Sequence, residues 1–147
     1  MAGAKVVLTR HLKAPPCEVF EACITPRILA QWFGPKAFDV CDVEADARVG
    51  GRFAFRMRSE RGTYGAEGIY REIQPPSRIV LTWMWTEGPE GEEPDGVQSL
   101  VTFDLKPEGD GTLLTLIHEA LLDQESADSH REGWSEALDK LELLLQR

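Results

Sequence analysis

Long apolar runs are missing from this sequence. No stretch approaches the roughly 20 residues that a helix needs to span a bilayer. Positive charge is scarce as well, since 16 Lys and Arg face 25 Asp and Glu for a net charge of −9 over 147 residues. Phosphate backbones bind basic stripes, so this balance argues against a nucleic-acid partner, and it disfavours anionic membranes. The start, Met1-Ala2-Gly3-Ala4-Lys5, lacks the apolar centre of a secretory signal, which makes the cytoplasm the expected compartment.

Cysteine and histidine are equally sparse, three of each. Cys17, Cys23 and Cys41 are odd in number and match no metal-ligand spacing. Cys23 falls on the apolar face of a helix with Val19 and Phe20, as a small core residue does. Three scattered histidines do not make a metal site. There is no glycine-rich phosphate loop and no dinucleotide fingerprint. Glu87, Glu90, Glu92, Glu93 and Asp95 crowd one connector, but the liganding rhythm of a calcium loop is absent and the cluster reads as solvated surface. No metal and no cofactor is expected.

What the chain does have is aromatic bulk at strand spacing. In the run Arg78–Thr86, Ile79, Leu81, Trp83 and Trp85 share one face of a strand. The run Arg52–Arg58 repeats the device, with Phe53, Phe55 and Met57 on one side and three arginines on the other. Only one long helix, at the C-terminus, is on hand to cover these rings. A curved sheet gripping a single helix across large apolar side chains commonly encloses a pocket, and a core filled by the same rings is the alternative.

Punctuation orders the rest as one domain over residues 1–147. Lys5–Lys13 alternates as a strand with Val6, Leu8 and Leu12 on one face. Pro15-Pro16 and Thr25-Pro26 open two short helices, and Gly34-Pro35 stops the second. Gly50-Gly51 marks a hairpin between Phe38–Arg48 and Arg52–Arg58, a turn rather than a ligand site. Tyr64–Ile73, Ile79–Thr86, Val97–Leu105 and Thr112–Ala120 complete the strands. In the last helix Trp134, Leu138, Leu141 and Leu145 form one stripe. Ser129–Glu132 fits a capping box at its start, with a start several residues earlier as the alternative. Glu136 and Lys140 are placed to pair on its wet side.

This order and certain residues resemble the START-like (helix-grip) superfamily, and within it the family named after the activator of the heat-shock protein 90 ATPase. The residues that carry the likeness are Arg10 with Ala14-Pro15, Val19-Phe20, Trp32-Phe33-Gly34-Pro35, Gly50-Gly51 and Gly68–Glu72 leading to Pro76–Arg78. Thr82-Trp83, Thr112–His118 and Gly133-Trp134 with the leucines behind complete it, from Lys5 to Leu145. The resemblance implies an α+β fold, β-α-α-β6-α, with a seven-stranded antiparallel sheet around the C-terminal helix and a cavity between. It implies no single function, because such folds serve as lipid carriers, hormone receptors, aromatic cyclases and co-chaperone domains.

Twelve residues are candidates for lining that cavity: Arg10, Trp32, Phe33, Phe53, Phe55, Tyr64, Trp83, Trp85, Phe103, His118, Trp134 and Leu138. Arg10 alternates with Val6, Leu8 and Leu12, on the face expected to be covered, where a guanidinium needs a carboxylate from Glu72 or Glu67 or from a ligand. His118 shares a face with Leu114 and Leu116, either as a hydrogen-bonded structural group or as a base for a polar ligand. No Ser, Cys or Asp is placed by sequence to complete a nucleophilic dyad, and none is assigned a catalytic role. His130, at the opening of the final helix, reads as solvated.

The leading functional expectation is a module that binds a small apolar or aromatic ligand. A co-chaperone domain stimulating a heat-shock protein 90 type ATPase is the alternative that the family name implies. The eukaryotic activators add a separate chaperone-binding domain for which this chain has no room. A pocket enzyme of cyclase or hydrolase type is a third reading, since positioning alone can accelerate a cyclisation. The protein is expected to be a monomer, or a homodimer joined at a sheet edge.

Overall fold

The structure is a computed structural model that describes residues 3–146. Met1 and Ala2, which belong to the start that reads as lacking a secretory signal, lie outside that range, as does Arg147. The elements run β1 (Ala4–Leu12), α1 (Pro16–Ile24), α2 (Pro26–Trp32), β2 (Asp39–Ala45), β3 (Arg52–Ser59), β4 (Gly62–Gln74), β5 (Arg78–Glu87), β6 (Ser99–Glu108), β7 (Gly111–Leu121) and α3 (Gln124–Leu144). All seven strands join one antiparallel sheet in the order β1-β7-β6-β5-β4-β3-β2. The chain is thus α+β with the element order that its punctuation implies. After β1, the two short helices carry it across to the opposite edge of the sheet.

The sheet is curved, and α3 lies in its hollow. Pairing of β4 with β5 shifts register at Gly65/Ala66 and again at Tyr70/Glu72, and such bulges bend a strand and sharpen its twist. Between them Gly68 lets two backbones meet, because a Cβ there would collide with the Thr82 carbonyl. Alternation then turns Phe53, Phe55, Ile79, Leu81, Trp83, Val101, Phe103, Leu114, Leu116 and His118 inward, all buried. Against them α3 presents Trp134, Ala137, Leu138 and Leu141. Leu138 and Leu141 are fully withdrawn from water, where truncation of such a side chain costs about 2–5 kcal/mol.

Several local features differ from expectation. The long helix takes the earlier of its two expected starts, at Gln124 rather than at the Ser129–Glu132 box, because the Asp123 carboxylate accepts the Ser126 N–H at 2.8 Å and caps it there. Lys140 does not serve Glu136. Its ammonium donates to the Phe33 carbonyl at 3.1 Å, while Glu136 accepts the Lys36 backbone N–H at 2.9 Å. The expected hairpin between β2 and β3 forms, but its connection spans residues 46–51 rather than Gly50-Gly51 alone. β2 ends at Ala45, and both glycines exchange backbone hydrogen bonds with Tyr70 on β4. Phe38 precedes β2, in the connection that begins at Gly34, whose φ of +79° stops α2.

Candidate functional site

One ring organises the hollow. Phe33, the first residue after α2, is carried by the Gly34 turn into the space beneath α3. Its centroid lies 5.7 Å from Phe53, 5.4 Å from Phe55, 6.2 Å from Trp83 and 5.5 Å from Trp134. Edge-on aromatic packing of this kind adds stability beyond area burial. A side chain from the short helices therefore shares the covering expected of the C-terminal helix alone, and the deep half of the hollow is filled. Trp32, Phe53, Phe103 and Leu138 all belong to that filled part.

The other half is open. A cleft of about 630 Å³ runs between α3, the ends of β3–β5 and the segment after α2. Six of the twelve sequence candidates line it, namely Phe33, Phe55, Tyr64, Trp83, Trp85 and Trp134. Trp32, Phe53, Phe103, His118 and Leu138 sit behind these walls, and Arg10 stands apart on β1. The Arg10 guanidinium donates to Asp139 at 2.8 Å and to Glu142 at 3.2 Å, both on α3. Its expected partners are engaged elsewhere, Glu67 by Arg52 and Glu72 by Arg78. Arg10 does lie on the covered face, but at the sheet margin, where helix carboxylates reach it first.

The four indoles show how the polar atoms are satisfied. Trp32 donates to the Ala22 carbonyl at 2.9 Å and ties α2 to α1. Trp134 donates to His118 Nδ1 and Trp85 to His130 Nε2, each at 3.0 Å. Among the described residues the Trp83 Nε1–H alone is a buried side-chain polar atom with no acceptor. A buried, unmade hydrogen bond costs about 1–3 kcal/mol.

His118 has a partner that sequence did not disclose. Its Nε2 lies 2.7 Å from the Ser99 hydroxyl, which donates in turn to the Trp83 carbonyl at 2.9 Å. Serine beside histidine invites a nucleophilic reading, and the hydrogen-bond direction opposes it. An indole N–H can only donate, so His118 Nδ1 must be the unprotonated nitrogen and Nε2 carries the proton. A base that activates serine needs the reverse tautomer, with Nδ1–H held by an acceptor. The chain runs Trp134 to His118 to Ser99 to the Trp83 carbonyl, every link satisfied. Burial, then the neighbouring His130, push the His118 pKa down to about 3. Its ring is neutral and fixed.

His130 is not the solvated residue its position suggested. Its ring is half-buried on the cleft wall, 4.7 Å from that of His118, with Nδ1–H donating to the Ser126 carbonyl at 2.7 Å. Burial lowers its pKa, although the Ser126 carbonyl and Asp95 both act the other way. The signal was present in the sequence, because His130 stands one helical turn before Trp134. Phe38 was missed too. It lines the cleft beside Tyr64, at 5.4 Å between ring centroids, from a segment that read as a strand.

At the mouth, the β5–β6 connection is pinned by one carboxylate. Glu92 accepts from the Tyr64 hydroxyl at 2.8 Å and from Arg61 at 3.1 Å. Partial burial and then Glu92 raise the Tyr64 pKa, so the phenol stays protonated and donates. Glu87 closes a two-pronged pair with Arg56 at 2.9 and 3.1 Å. Among the described residues no group of His, Cys, Asp and Glu is placed to hold a metal ion, and no helix is long and apolar enough to cross a membrane.

The family model described as "Activator of Hsp90 ATPase homolog 1-like protein" matches residues 13–146. The chain belongs to this family. A solved protein of Chromobacterium violaceum is 28% identical and superposes with a TM-score of 0.86 over 98% of this chain and 99% of its own. The AHSA1 protein of Silicibacter pomeroyi is 29% identical, with a TM-score of 0.84 over 97% of each chain. A protein of Rhizobium leguminosarum is 30% identical, with a TM-score of 0.82 over 100% of this chain and 97% of its own. None of the curated proteins compared matches the chain. The family's helix-grip, START-like architecture is the one described above.

Proposed function

We propose that this domain binds a small, largely apolar or aromatic molecule in the cleft between α3 and the ends of β3–β5. One observation carries the reading, a cleft of about 630 Å³ walled by Phe55, Trp83, Trp85 and Trp134, with the Trp83 N–H buried in that wall without an acceptor. Ligand pockets usually measure about 300–1,000 Å³, apolar with a few placed polar groups. A guest with an aromatic or aliphatic body and one carbonyl or hydroxyl oxygen fits both features. Of the twelve sequence candidates, we assign direct contact to the six that line the cleft, and a supporting role to those packed behind it.

Residues 1–147 are read as a single such domain, acting on its ligand as a monomer or a homodimer. A cytoplasmic setting suits the two exposed free thiols, Cys17 and Cys41. The name of the family supports a second reading, contact with a chaperone ATPase. Catalysis in the cleft has weaker support, because the tautomer that Trp134 imposes on His118 withholds the one buried imidazole from base chemistry.

Titration of intrinsic tryptophan emission with a panel of aromatic and lipid-like compounds tests the binding reading. A saturable change for at least one class is expected. A flat response across the panel, with chaperone ATPase turnover raised by the same protein, would favour the second reading instead.

A further inference from the structure

We propose that the cleft selects guests carrying a positive charge at the mouth, an amine joined to an apolar body, and that it discriminates against fatty-acid-like anions. This rests on the binding reading above and names the ligand class. Six carboxylates, Glu87, Glu92, Glu93, Asp95, Glu132 and Glu136, line the cleft with one guanidinium, Arg61. Across the whole chain the ratio is only 25 to 16, so the excess at the mouth is local rather than average. Arg61 is itself bound to Glu92, and Arg56, from outside the lining, neutralises Glu87. Glu93 and Glu132 have no partner among the described residues. Fields of one sign concentrate in concave sites with low-dielectric walls.

Two further observations point to a guest rather than to a merely acidic surface. Phe38, Tyr64 and Trp85 are half-buried at the outer part of the cleft, with centroids 5.4 Å apart for Phe38–Tyr64 and 6.1 Å for Tyr64–Trp85. Such a row of π faces beside carboxylates attracts an ammonium group and offers nothing to a carboxylate. Deeper in the wall, Trp83 is only 3% exposed and its N–H lacks an acceptor. The ligand therefore carries its charge outward and an oxygen acceptor inward.

Three probes sharing a naphthoyl body and an amide carbonyl test this, ending respectively in an amine, a hydroxyl and a carboxylate: naphthoyl-ethylenediamine, naphthoyl-ethanolamine and naphthoyl-glycine. Ligand-observed NMR titration of the intact chain at low salt is expected to rank them in that order. The amine should lead the alcohol by about fivefold and the carboxylate by more than about tenfold, with the gap shrinking as salt is raised. The double variant Glu93→Gln with Glu132→Gln should narrow the amine's advantage over the alcohol. Equal or tighter binding of the glycine conjugate, or an undiminished preference in the double variant, overturns the charge inference while the binding reading stands. Binding of none of the three removes both.

Discussion

The indole N–H of Trp134 on α3 lies 3.0 Å from Nδ1 of His118 on β7, in the interior of the protein. That contact fixes the His118 tautomer, orients its second nitrogen on Ser99, and couples the gripped helix to β7, next to the sheet edge. Proton-detected spectra of His118 should therefore show the Nε2–H tautomer, unchanged from neutral pH down to about pH 5. An Nδ1–H tautomer would break the assignment. His118→Ala should cost about 2–4 kcal/mol, because it leaves a cavity and strips the Trp134 donor of its acceptor.

Acid should destabilise this fold through the same ring. The folded-state pKa of His118, about 3, lies below the usual 6.5, so between those values the unfolded chain binds a proton that the fold refuses. Its contribution is complete above pH 6.5 and is lost as pH falls, with a slope of up to about 1.4 kcal/mol per pH unit. His130, also lowered by burial, acts with the same sign. Urea midpoints measured from about pH 7.5 to about pH 5 should fall in the native chain and fall less steeply in His118→Gln. Equal slopes in the two proteins would remove His118 from the account.

Filling the cleft offers a control that spares the fold. A Cβ on Gly133 would meet Pro35 at 3.5 Å, an ordinary contact, and Gly133 lines the cleft from mid-helix. Gly133→Leu should hold or raise stability by about 0.5–1 kcal/mol through helix propensity, while weakening ligand binding at least about tenfold. Undiminished binding in a folded Gly133→Leu protein would move the ligand elsewhere.

The margin pair Arg10–Asp139 should matter little. Both groups are partly exposed, at 21% and 43% of the side chain, and the arginine holds the Asp139 carboxyl below its usual pKa, with Lys36 assisting. Because that pKa is depressed, its small contribution is present at neutral pH and lost in acid. A double-mutant cycle of Arg10→Ala with Asp139→Asn should return a coupling of about 0.5–1 kcal/mol. A coupling several times larger would mean that Arg10 anchors more than the sheet margin.

The architecture was readable because its signals are local. Alternation in Arg78–Thr86 and Arg52–Arg58, the prolines after β1 and the stripe behind Trp134 each fix an element without reference to the others. What escaped was set by register between distant segments. Arg10 meets Asp139 and Glu142 only because α3 crosses β1 at that turn. Ser99 reaches His118 across neighbouring strands β6 and β7, a pairing that no spacing reveals. Phe33 reads from sequence as one aromatic among many, and its place at the centre of the hollow depends on the left-handed turn at Gly34. His130 was within reach, being one helical turn from Trp134, and was discounted for its position near a helix start.

The account stands on a guest reaching Trp83, and the indole N–H resonances report on that directly. In a ¹⁵N-labelled sample titrated with the naphthoyl-amide series, the Trp83 indole signal should move downfield as its proton gains an acceptor. The Trp32 signal, held by the Ala22 carbonyl behind the cleft, should stay in place. Titrations that leave the Trp83 resonance fixed while ligand saturates, or that shift Trp32 as much as Trp83, would contradict it.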